Sequence, residues 1–182
     1  MDLNNQFLVS MPTLKDFSFS KTVIYMNDYS LNGAFGWVVN RQLDNEVSER
    51  LRKGMGLQKT VPLFYGGPVD VNNAYVLHTN DFKIPSTVEL NSNLSVTRDK
   101  AIINVFNLGQ FPEYWRIIVG HSQWGPGQLE DEIVGLNRPG RRSSWTHCPY
   151  TEKLMWNTMP AKQWDTAIQM SAENMTDRFL NF

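Results

Sequence analysis

The chain has 182 residues, a length typical of one domain, and we treat residues 1–182 as a single unit. Apolar residues make up 41% of the chain and aromatic residues 12%, which is enough for a core and excludes an intrinsically disordered protein. Seventeen basic and eighteen acidic residues leave a net charge of -1, which argues against a globally basic nucleic-acid-binding protein.

The first third of the chain predicts three buried strands and a short helix. The strands are expected at 7–11, 22–26 and 34–39. Turn signals at Asn27-Asp28 and Asn32-Gly33 follow the second strand and precede the third. Because these strands are nearly continuous in apolar residues, we expect both of their faces to be buried. A helix is expected over 45–53, with Gly54 as its C-terminal stop.

The remainder predicts further strands and two or three more helices. Strands are expected at 62–65, 74–78, 87–90, 94–96 and 115–119, the third and fourth of which form a hairpin. Thr97 is the expected N-cap of a helix that ends at Gly109. A glycine-rich turn over 120–127 is expected to lead into another helix, and the last helix begins near Pro160. This irregular order of strands and helices predicts an α+β fold.

Short motifs are spread over nearly the whole chain, at 7–12, 32–40, 66–69, 76–79, 97–99, 120–130 and 164–167. Taken together in this order, they resemble the AlgH/YqgE family of small bacterial proteins. The resemblance implies an α+β fold in which a bent, partly split, mostly antiparallel sheet closes into a pseudo-barrel with flanking helices. It also implies a label as transcriptional regulator and no assigned activity. The chain departs from the family pattern at His121, where tyrosine is usual, and in its basic loop at 138–144.

The densest motif predicts a ligand-binding turn. A glycine-rich turn that enters a helix offers free backbone N–H groups and a favourable dipole to an anion. The residues expected to contribute are His121, Trp124, Gly125, Gly127, Gln128 and Glu130. Gly66, Gly67 and Pro68 are expected to form the facing wall of the same groove. The structural alternative is that the glycines only permit a tight turn, Trp124 fills the core, and the acidic run 130–132 is solvated.

A basic loop predicts contact with a macromolecule. Arg138, Arg141 and Arg142 precede Trp145, and arginine pairs with phosphates while tryptophan stacks on bases. We expect a protein partner of unknown identity, with nucleic acid as a second candidate. The structural alternative is a solvated loop that Trp145 anchors to the core. The oligomeric state is left open.

The spacing of reactive residues is not typical of a catalytic or metal site. His78, His121 and His147 lack ligand spacing, and Cys148 forms only a single pair with its neighbour His147. Ser122 and Cys148 each follow a histidine directly, and adjacent side chains in an extended segment point apart. We therefore predict no catalytic residue, no metal and no cofactor, and we favour a protein that is not an enzyme.

Two functions remain as hypotheses. The first is a non-enzymatic regulatory or adaptor protein, a transcriptional regulator by the family's label, that acts through a macromolecular partner. The alternative is a small-ligand or nucleotide-binding domain, extending to weak hydrolysis, that uses the turn at 120–130.

The cysteine content and the first residues predict a cytoplasmic protein. Cys148 is the single cysteine of the chain, which is typical of a reducing compartment. Asp2 stands where a signal peptide needs a positive charge. The longest apolar runs, such as 117–119, are far shorter than the roughly 20 residues of a membrane-spanning helix, so we expect no membrane segment.

Overall fold

The computed structural model describes residues 1–136, 140 and 142–180. The strands in these residues are β1 (Gln6–Ser10), β2 (Val23–Ser30), β3 (Gly33–Val38), β4 (Phe64–Tyr65), β5 (Val69–Thr79), β6 (Val88–Glu89), β7 (Leu94–Thr97), β8 (Trp115–Trp124) and β9 (Trp145–Pro149). The helices are α1 (Asn45–Met55), α2 (Ala101–Asn107), α3 (Gln128–Val134), α4 (Glu152–Trp156) and α5 (Pro160–Leu180). No described helix has both the length and the hydropathy that a bilayer crossing requires.

All of these strands belong to one curled, half-barrel sheet. The order along the sheet is β6-β7-β5-β8-β3-β2-β1-β9, and β4 lies off this path against β8. The neighbouring strands on the path are antiparallel, and the β4–β8 pair is parallel. This arrangement confirms the predicted α+β class with a bent, mostly antiparallel sheet and flanking helices. The prediction of one domain over 1–182 stays a prediction.

Strand β8 joins the two halves of the sheet. Its first part pairs with β5, whereas its last residues, including Ser122 and Trp124, pair with β3. Between them lies Gly120, with a φ of 74°. A Cβ at this position would lie 2.6 Å from the carbonyl oxygen of Gly67. Because only glycine tolerates both the dihedral and the contact, the corner of the sheet depends on this residue.

The curled sheet buries three apolar clusters. The inner cluster draws on both halves of the sheet, with Tyr25, Trp37 and Tyr75 among its members, and is covered by α4 and α5. A second cluster lies on the opposite face of β1, β2 and β3, where α3 covers it. The third, which we call the outer cluster, lies on the opposite face of β5 and β8, beneath α1 and α2. This alternation follows from the two-residue period of a strand.

The β6–β7 turn holds the two ends of the curled sheet together. The side-chain amide of Asn91 donates to Asn5 Oδ1 at 2.7 Å. Asn93 Oδ1 accepts hydrogen bonds from the Tyr150 hydroxyl at 2.8 Å and from Trp156 Nε1 at 3.1 Å. These contacts fasten the β6–β7 hairpin to the segments that precede β1 and follow β9. The inner cluster is closed as a result.

Two predicted boundaries in the first half are wrong. Asn27-Asp28 does not end β2, because the strand absorbs these residues as a bulge, where its register against β3 shifts. Helix α1 continues past Gly54 and ends at Gly56, which adopts the left-handed conformation with a φ of 74° and donates to the last helical carbonyls.

Two predictions in the second half are also wrong. Thr97 is the last residue of β7, and its buried hydroxyl lies 2.9 Å from His78 Nε2 instead of capping a helix. The predicted turn over 120–127 is strand as far as Trp124, because Gly120 bends β8 without ending it. Helix α3 is correspondingly short, and Leu136 lies beyond its end, exposed.

Candidate functional site

Several residues of the segment 120–130, which was predicted to bind a ligand, are packed into the core. Trp124 is only 3% exposed and stacks on Phe19, with the ring centroids 5.9 Å apart. The Trp124 Nε1 donates to Glu132 Oε2 at 3.1 Å, and Trp145 Nε1 donates to the same oxygen at 2.7 Å. Glu132, expected to be solvated, therefore joins two buried indoles.

The residues after Trp124 form an exposed entry to α3. Gln128 Oε1 accepts from the Gly125 N–H at 3.0 Å, and Gln128 Nε2 donates to Glu132 Oε1 at 3.1 Å. Gly127 provides the left-handed residue before the helix, and Glu130 lies partly buried in the first turn. The Gln128 side chain thus accepts the hydrogen bond from a backbone N–H that would otherwise be available to an anion. Ligand binding by these residues stays a prediction.

His121 lies among aromatic rings on β8 and is 5% exposed. Its Nδ1 lies 3.1 Å from the Tyr75 hydroxyl, and its Nε2 lies 3.3 Å from Gln123 Oε1. With Gln123 Oε1 as acceptor, the matching tautomer carries its proton on Nε2, and Nδ1 then accepts from the tyrosine. The His121 ring also packs against Phe35, with centroids 4.6 Å apart. Both ring nitrogens of His121 are therefore already engaged.

Gly66 and Gly67 pack directly against the backbone of β8. A Cβ at Gly66 would lie 2.3 Å from the Gly120 carbonyl oxygen, and one at Gly67 would lie 2.2 Å from the His121 carbonyl oxygen. Pro68 follows and is exposed. The glycines therefore bring the two backbones into direct contact at this point, and the predicted groove between the two segments stays a prediction.

The predicted basic loop is described only in part. Arg138 and Arg141 lie outside the described residues, whereas Arg142 is described and exposed. Val134 and Leu136, which precede the loop, are each 58% exposed. Val134 and Leu136 therefore present exposed apolar surface at the C-terminal end of α3.

Of the remaining histidine and cysteine candidates, His78 and Cys148 are buried, whereas His147 is partly exposed and its Nδ1 lies 2.7 Å from Gln6 Oε1. The described residues contain no group of three or more potential metal ligands. The ring nitrogens of His78 lie 2.9 Å from the Thr79 carbonyl oxygen and 2.9 Å from Thr97 Oγ1, and burial lowers the pKa of His78. Burial also raises the pKa of Cys148 to about 11, which keeps this thiol protonated and unreactive at neutral pH.

The structure assembles a cavity that sequence reasoning missed. It has a volume of about 410 Å³ and lies between α1, α2 and the outer face of β5 and β8. Its apolar lining consists of Leu51, Met55, Val71, Ala74, Val76, Ile102, Ile103, Ile117 and Val119. These side chains come from four separate stretches of the chain, and their apolar character alone predicts only a core.

The rim of this cavity is predominantly basic. Arg50 comes from α1, and Arg98 and Lys100 come from the segment between β7 and α2; Asp99 is the acidic residue beside them. All four side chains are exposed. The Arg98 guanidinium lies 5.0 Å from the centroid of the Tyr75 ring, which holds it by a cation–π contact.

A bulge in β5 opens one wall of the cavity. β5 pairs with β8 at Val69 and next at Ala74, but the facing stretch of β8 has only Gly120 between its paired residues. The surplus residues 70–73 on β5 are therefore not matched by β8, and most of them line the cavity. Gly120 is the one residue whose type could have indicated this bulge. A glycine at this position, however, is as typical of a turn as of the strand position opposite a bulge.

Comparison with known proteins adds the family. A family model described as AlgH-like matches residues 7–176 of the chain. The chain belongs to the AlgH-like family. A UPF0301 protein from Hahella chejuensis is 34% identical over 160 residues, which cover 86% of this chain and 82% of the relative. A UPF0301 protein from Burkholderia vietnamiensis is 30% identical over 175 residues, covering 92% and 88% of the two chains.

Solved structures share the AlgH-like fold. The solution structure of the AlgH protein from Pseudomonas aeruginosa matches with a TM-score of 0.73 at 26% identity, covering 92% of this chain and 88% of that one. A crystal structure of a protein from Corynebacterium diphtheriae matches with a TM-score of 0.63 at 19% identity, covering 84% and 78%. The second likeness concerns the fold alone. The AlgH-like family predicted from the motifs is thereby confirmed.

Proposed function

We propose that this AlgH-like chain is a non-enzymatic binding protein that takes a small anionic ligand in the cavity between α1 and α2. One observation carries the proposal: a cavity of about 410 Å³ with an aliphatic floor has exposed Arg50 and Lys100 beside Asp99 at its rim, while the Arg98 guanidinium lies on the Tyr75 ring. Ligand pockets are typically about 300–1,000 Å³, mostly apolar, with a few convergent polar groups. The cavity matches that description in size and in chemistry.

The location differs from the one that the glycine-rich motif predicted. At 120–130 the Gln128 side chain already uses a backbone N–H, and Trp124 is packed into the core. The cavity between α1 and α2 offers open volume and two cations, Arg50 and Lys100, that form no ion pair with a described residue. The small-ligand hypothesis therefore moves to the opposite part of the sheet, while its chemical class, an anion, is kept.

The lining of the cavity supports binding over catalysis. Thr97 is the hydroxyl-bearing residue in the lining, and His78 Nε2 is positioned to accept its proton at 2.9 Å. However, Thr97 is 0% exposed, and its hydroxyl is also shared with Thr87 Oγ1 at 2.8 Å. A substrate in the cavity has no access to that oxygen, so in the proposed role the pair stabilises the packing of β5 against β7.

Thermal denaturation with a panel of anions tests the proposal. Octanoate, octyl phosphate, adenosine monophosphate and inorganic phosphate are compared at concentrations up to the millimolar range. A ligand present at 100 times its dissociation constant is expected to stabilise the fold by about 2.7 kcal/mol. The double variant Arg50→Gln, Lys100→Gln is expected to lose that stabilisation, and Arg142→Gln, an exposed arginine outside the lining, is expected to keep it.

A shift of equal size in all three proteins would place the binding elsewhere and overturn the proposal. The same holds if none of the four anions raises the melting temperature.

A second candidate is regulation through a macromolecular partner, the first hypothesis from the sequence. The exposed apolar residues Val134 and Leu136, and the exposed Arg142 further along the chain, favour it, because apolar residues and arginine are both common in protein interfaces. A pull-down from native lysate is expected to recover one specific partner. The double variant Leu136→Ser, Arg142→Glu is expected to lose it, and recovery of the same proteins by the variant would contradict this candidate.

Nucleic acid as the partner makes a separate prediction. Gel shifts with duplex and single-stranded DNA across a salt series are expected to show a shallow slope, since each neutralised phosphate contributes roughly 0.7–0.9 to it. Binding that is unchanged in Arg142→Glu would remove this loop from consideration.

A further inference from the structure

We infer that the ligand of the cavity combines an anionic head with an aliphatic tail, as in an alkyl carboxylate or an alkyl phosphate. This inference rests on the proposed function of the cavity and specifies its ligand class. Three features of the described structure carry it. The apolar lining residues are aliphatic, the residues at the floor of the cavity are buried, and two cations on different walls form no ion pair with a described residue.

The apolar part of the lining is entirely aliphatic, in a protein rich in aromatic residues. Aromatic residues make up 12% of the chain, and the inner cluster contains Phe7, Tyr25, Trp37 and Tyr75. None of the residues that line the cavity is aromatic. Nucleobases and other planar rings are commonly held by stacking on aromatic side chains. The cavity lacks such a platform, whereas methyl and methylene groups are suited to contact an alkyl chain.

The aliphatic side chains are presented at the bottom of the cavity. Val76, Ile102 and Ile117 line it and are 3%, 1% and 1% exposed. They belong to the outer cluster, so the floor of the cavity is continuous with the core beneath α1 and α2. An alkyl tail that enters the cavity leaves water and contacts these apolar side chains instead. Burial of apolar surface is the main favourable contribution to binding of such a group.

Arg50 and Lys100 are positioned to contact the anionic head group. Arg50 lies on α1 and Lys100 at the start of α2, so they face the cavity from different walls. Neither forms an ion pair with a described residue. The neighbouring Asp99 accepts a hydrogen bond from the Ala101 N–H at 2.9 Å, which directs its carboxylate to the start of α2. Arg98 packs on the Tyr75 ring, and Arg50 and Lys100 are therefore the principal head-group residues.

Isothermal titration calorimetry with a chain-length series tests this inference. Hexanoate, octanoate and decanoate are titrated below their micellar concentrations, with octyl phosphate, adenosine monophosphate and inorganic phosphate as the other probes. Each added methylene that enters the cavity is expected to tighten binding about fourfold. Octyl phosphate is expected to bind at least tenfold more tightly than inorganic phosphate, because the phosphate alone leaves the floor hydrated.

Variants assign the two parts of the ligand to the two parts of the cavity. Arg50→Gln with Lys100→Gln is expected to weaken octyl phosphate binding at least tenfold, while Arg142→Gln leaves it unchanged. Ala74→Phe places a ring in the cavity and is expected to abolish the dependence on chain length. The charge variants alter exposed side chains, so they keep the test valid even if Ala74→Phe fails to fold.

The outcomes separate this inference from the proposed function. If adenosine monophosphate or inorganic phosphate binds through Arg50 and Lys100 but the alkyl series does not, the cavity is an anion site and the aliphatic class is wrong. Chain-length dependence that persists in Ala74→Phe also overturns the aliphatic tail. If no probe binds, both the inference and the proposed function fail.

Discussion

Strands β5 and β8 present two faces that are built in different ways. Toward the inner cluster they carry Tyr75, Arg116 and Ile118, and α4 and α5 cover this face. Toward the outer cluster they carry Ala74 and Ile117, over which α1 and α2 leave a cavity of about 410 Å³. The same two strands therefore support a closed core on one side and an open, basic-rimmed cavity on the other.

The arginines of the two faces show what this difference means chemically. Arg116 is 8% exposed, donates to the Val39 carbonyl oxygen at 2.6 Å and to Gln163 Oε1 at 3.1 Å, and burial lowers its pKa to about 10. Arg50 is exposed and has no ion-pair partner among the described residues. A cation whose donors are used within the protein is structural, and a cation whose donors are free is available to a ligand.

The largest expected effect concerns the corner of β8 at which the two halves of the sheet join, where Gly67 packs against His121. In Gly67→Ala, the new Cβ would lie 2.2 Å from the His121 carbonyl oxygen, and the residue would have to keep a φ of 147°. We expect a loss of about 4 kcal/mol or more in the free energy of unfolding, measured by urea denaturation. Gly54→Ala is the matched control, since its Cβ meets no atom within 4 Å and it lies inside α1. That control is expected to be stabilising by about 0.5–1 kcal/mol.

The next largest effect compares the two arginines. Arg116→Leu removes the donors to Val39 and Gln163 and is expected to cost about 2–4 kcal/mol in the free energy of unfolding, because buried acceptors are left unpaired. Arg50→Leu is expected to change it by less than about 0.5 kcal/mol. Equal losses in the two variants, measured by urea denaturation, would remove the distinction between a structural and a free cation.

A pH effect is expected from the packed end of the outer face, where His78 is fully buried. Burial holds its pKa below the unfolded value of about 6.5, so the unfolded chain binds more protons. Stability from this group is therefore present above pH 6.5 and is lost as the pH falls from about 6.5 toward the folded pKa. The loss is expected to approach 1.4 kcal/mol per pH unit. Urea denaturation at pH 7.5, 6.5 and 5.5 measures this loss. In His78→Gln the free energy of unfolding is expected to fall less steeply with decreasing pH. A pH dependence as steep as that of the unmodified protein would contradict the prediction.

The smallest effect is expected at the rim of the cavity. Lys100→Gln and Arg50→Gln are each expected to change the free energy of unfolding by less than about 0.5 kcal/mol in the absence of ligand, because both side chains are exposed. Chemical denaturation of the single variants measures this. A loss above 1 kcal/mol would show that the rim residues hold the fold, and it would weaken the case for ligand-binding cations.

Much of the fold was predictable from local patterns. Apolar runs at 7–11, 22–26 and 115–119 predicted the strands that became β1, β2 and the first part of β8. The ordered motifs predicted the family, which the AlgH-like model over residues 7–176 confirms. Local periodicity succeeds here because a buried strand or an amphipathic helix is recorded within a few consecutive residues.

The candidate site was much less predictable, because each of its decisive residues has two local interpretations. Gly120 predicts a turn as readily as a bulge partner, and only the pairing of β5 with β8 distinguishes the two. Thr97 predicts an N-cap until His78 is found beside its hydroxyl. The sequence allows Trp124 either to stack on a ligand or to fill the core. Its burial and its hydrogen bond to Glu132 place it in the core.

The sequence by itself determined most of the secondary-structure types, the family and the near-zero net charge, since these follow from composition and from short-range patterns. Tertiary structure alone decided that the glycine pairs bring backbones together and that Arg50 and Lys100 share one rim. The physical reason is that a cavity is the space left between elements distant in the chain. Its position depends on how far a bulge moves one strand from its neighbour, and no local pattern of side chains encodes that distance.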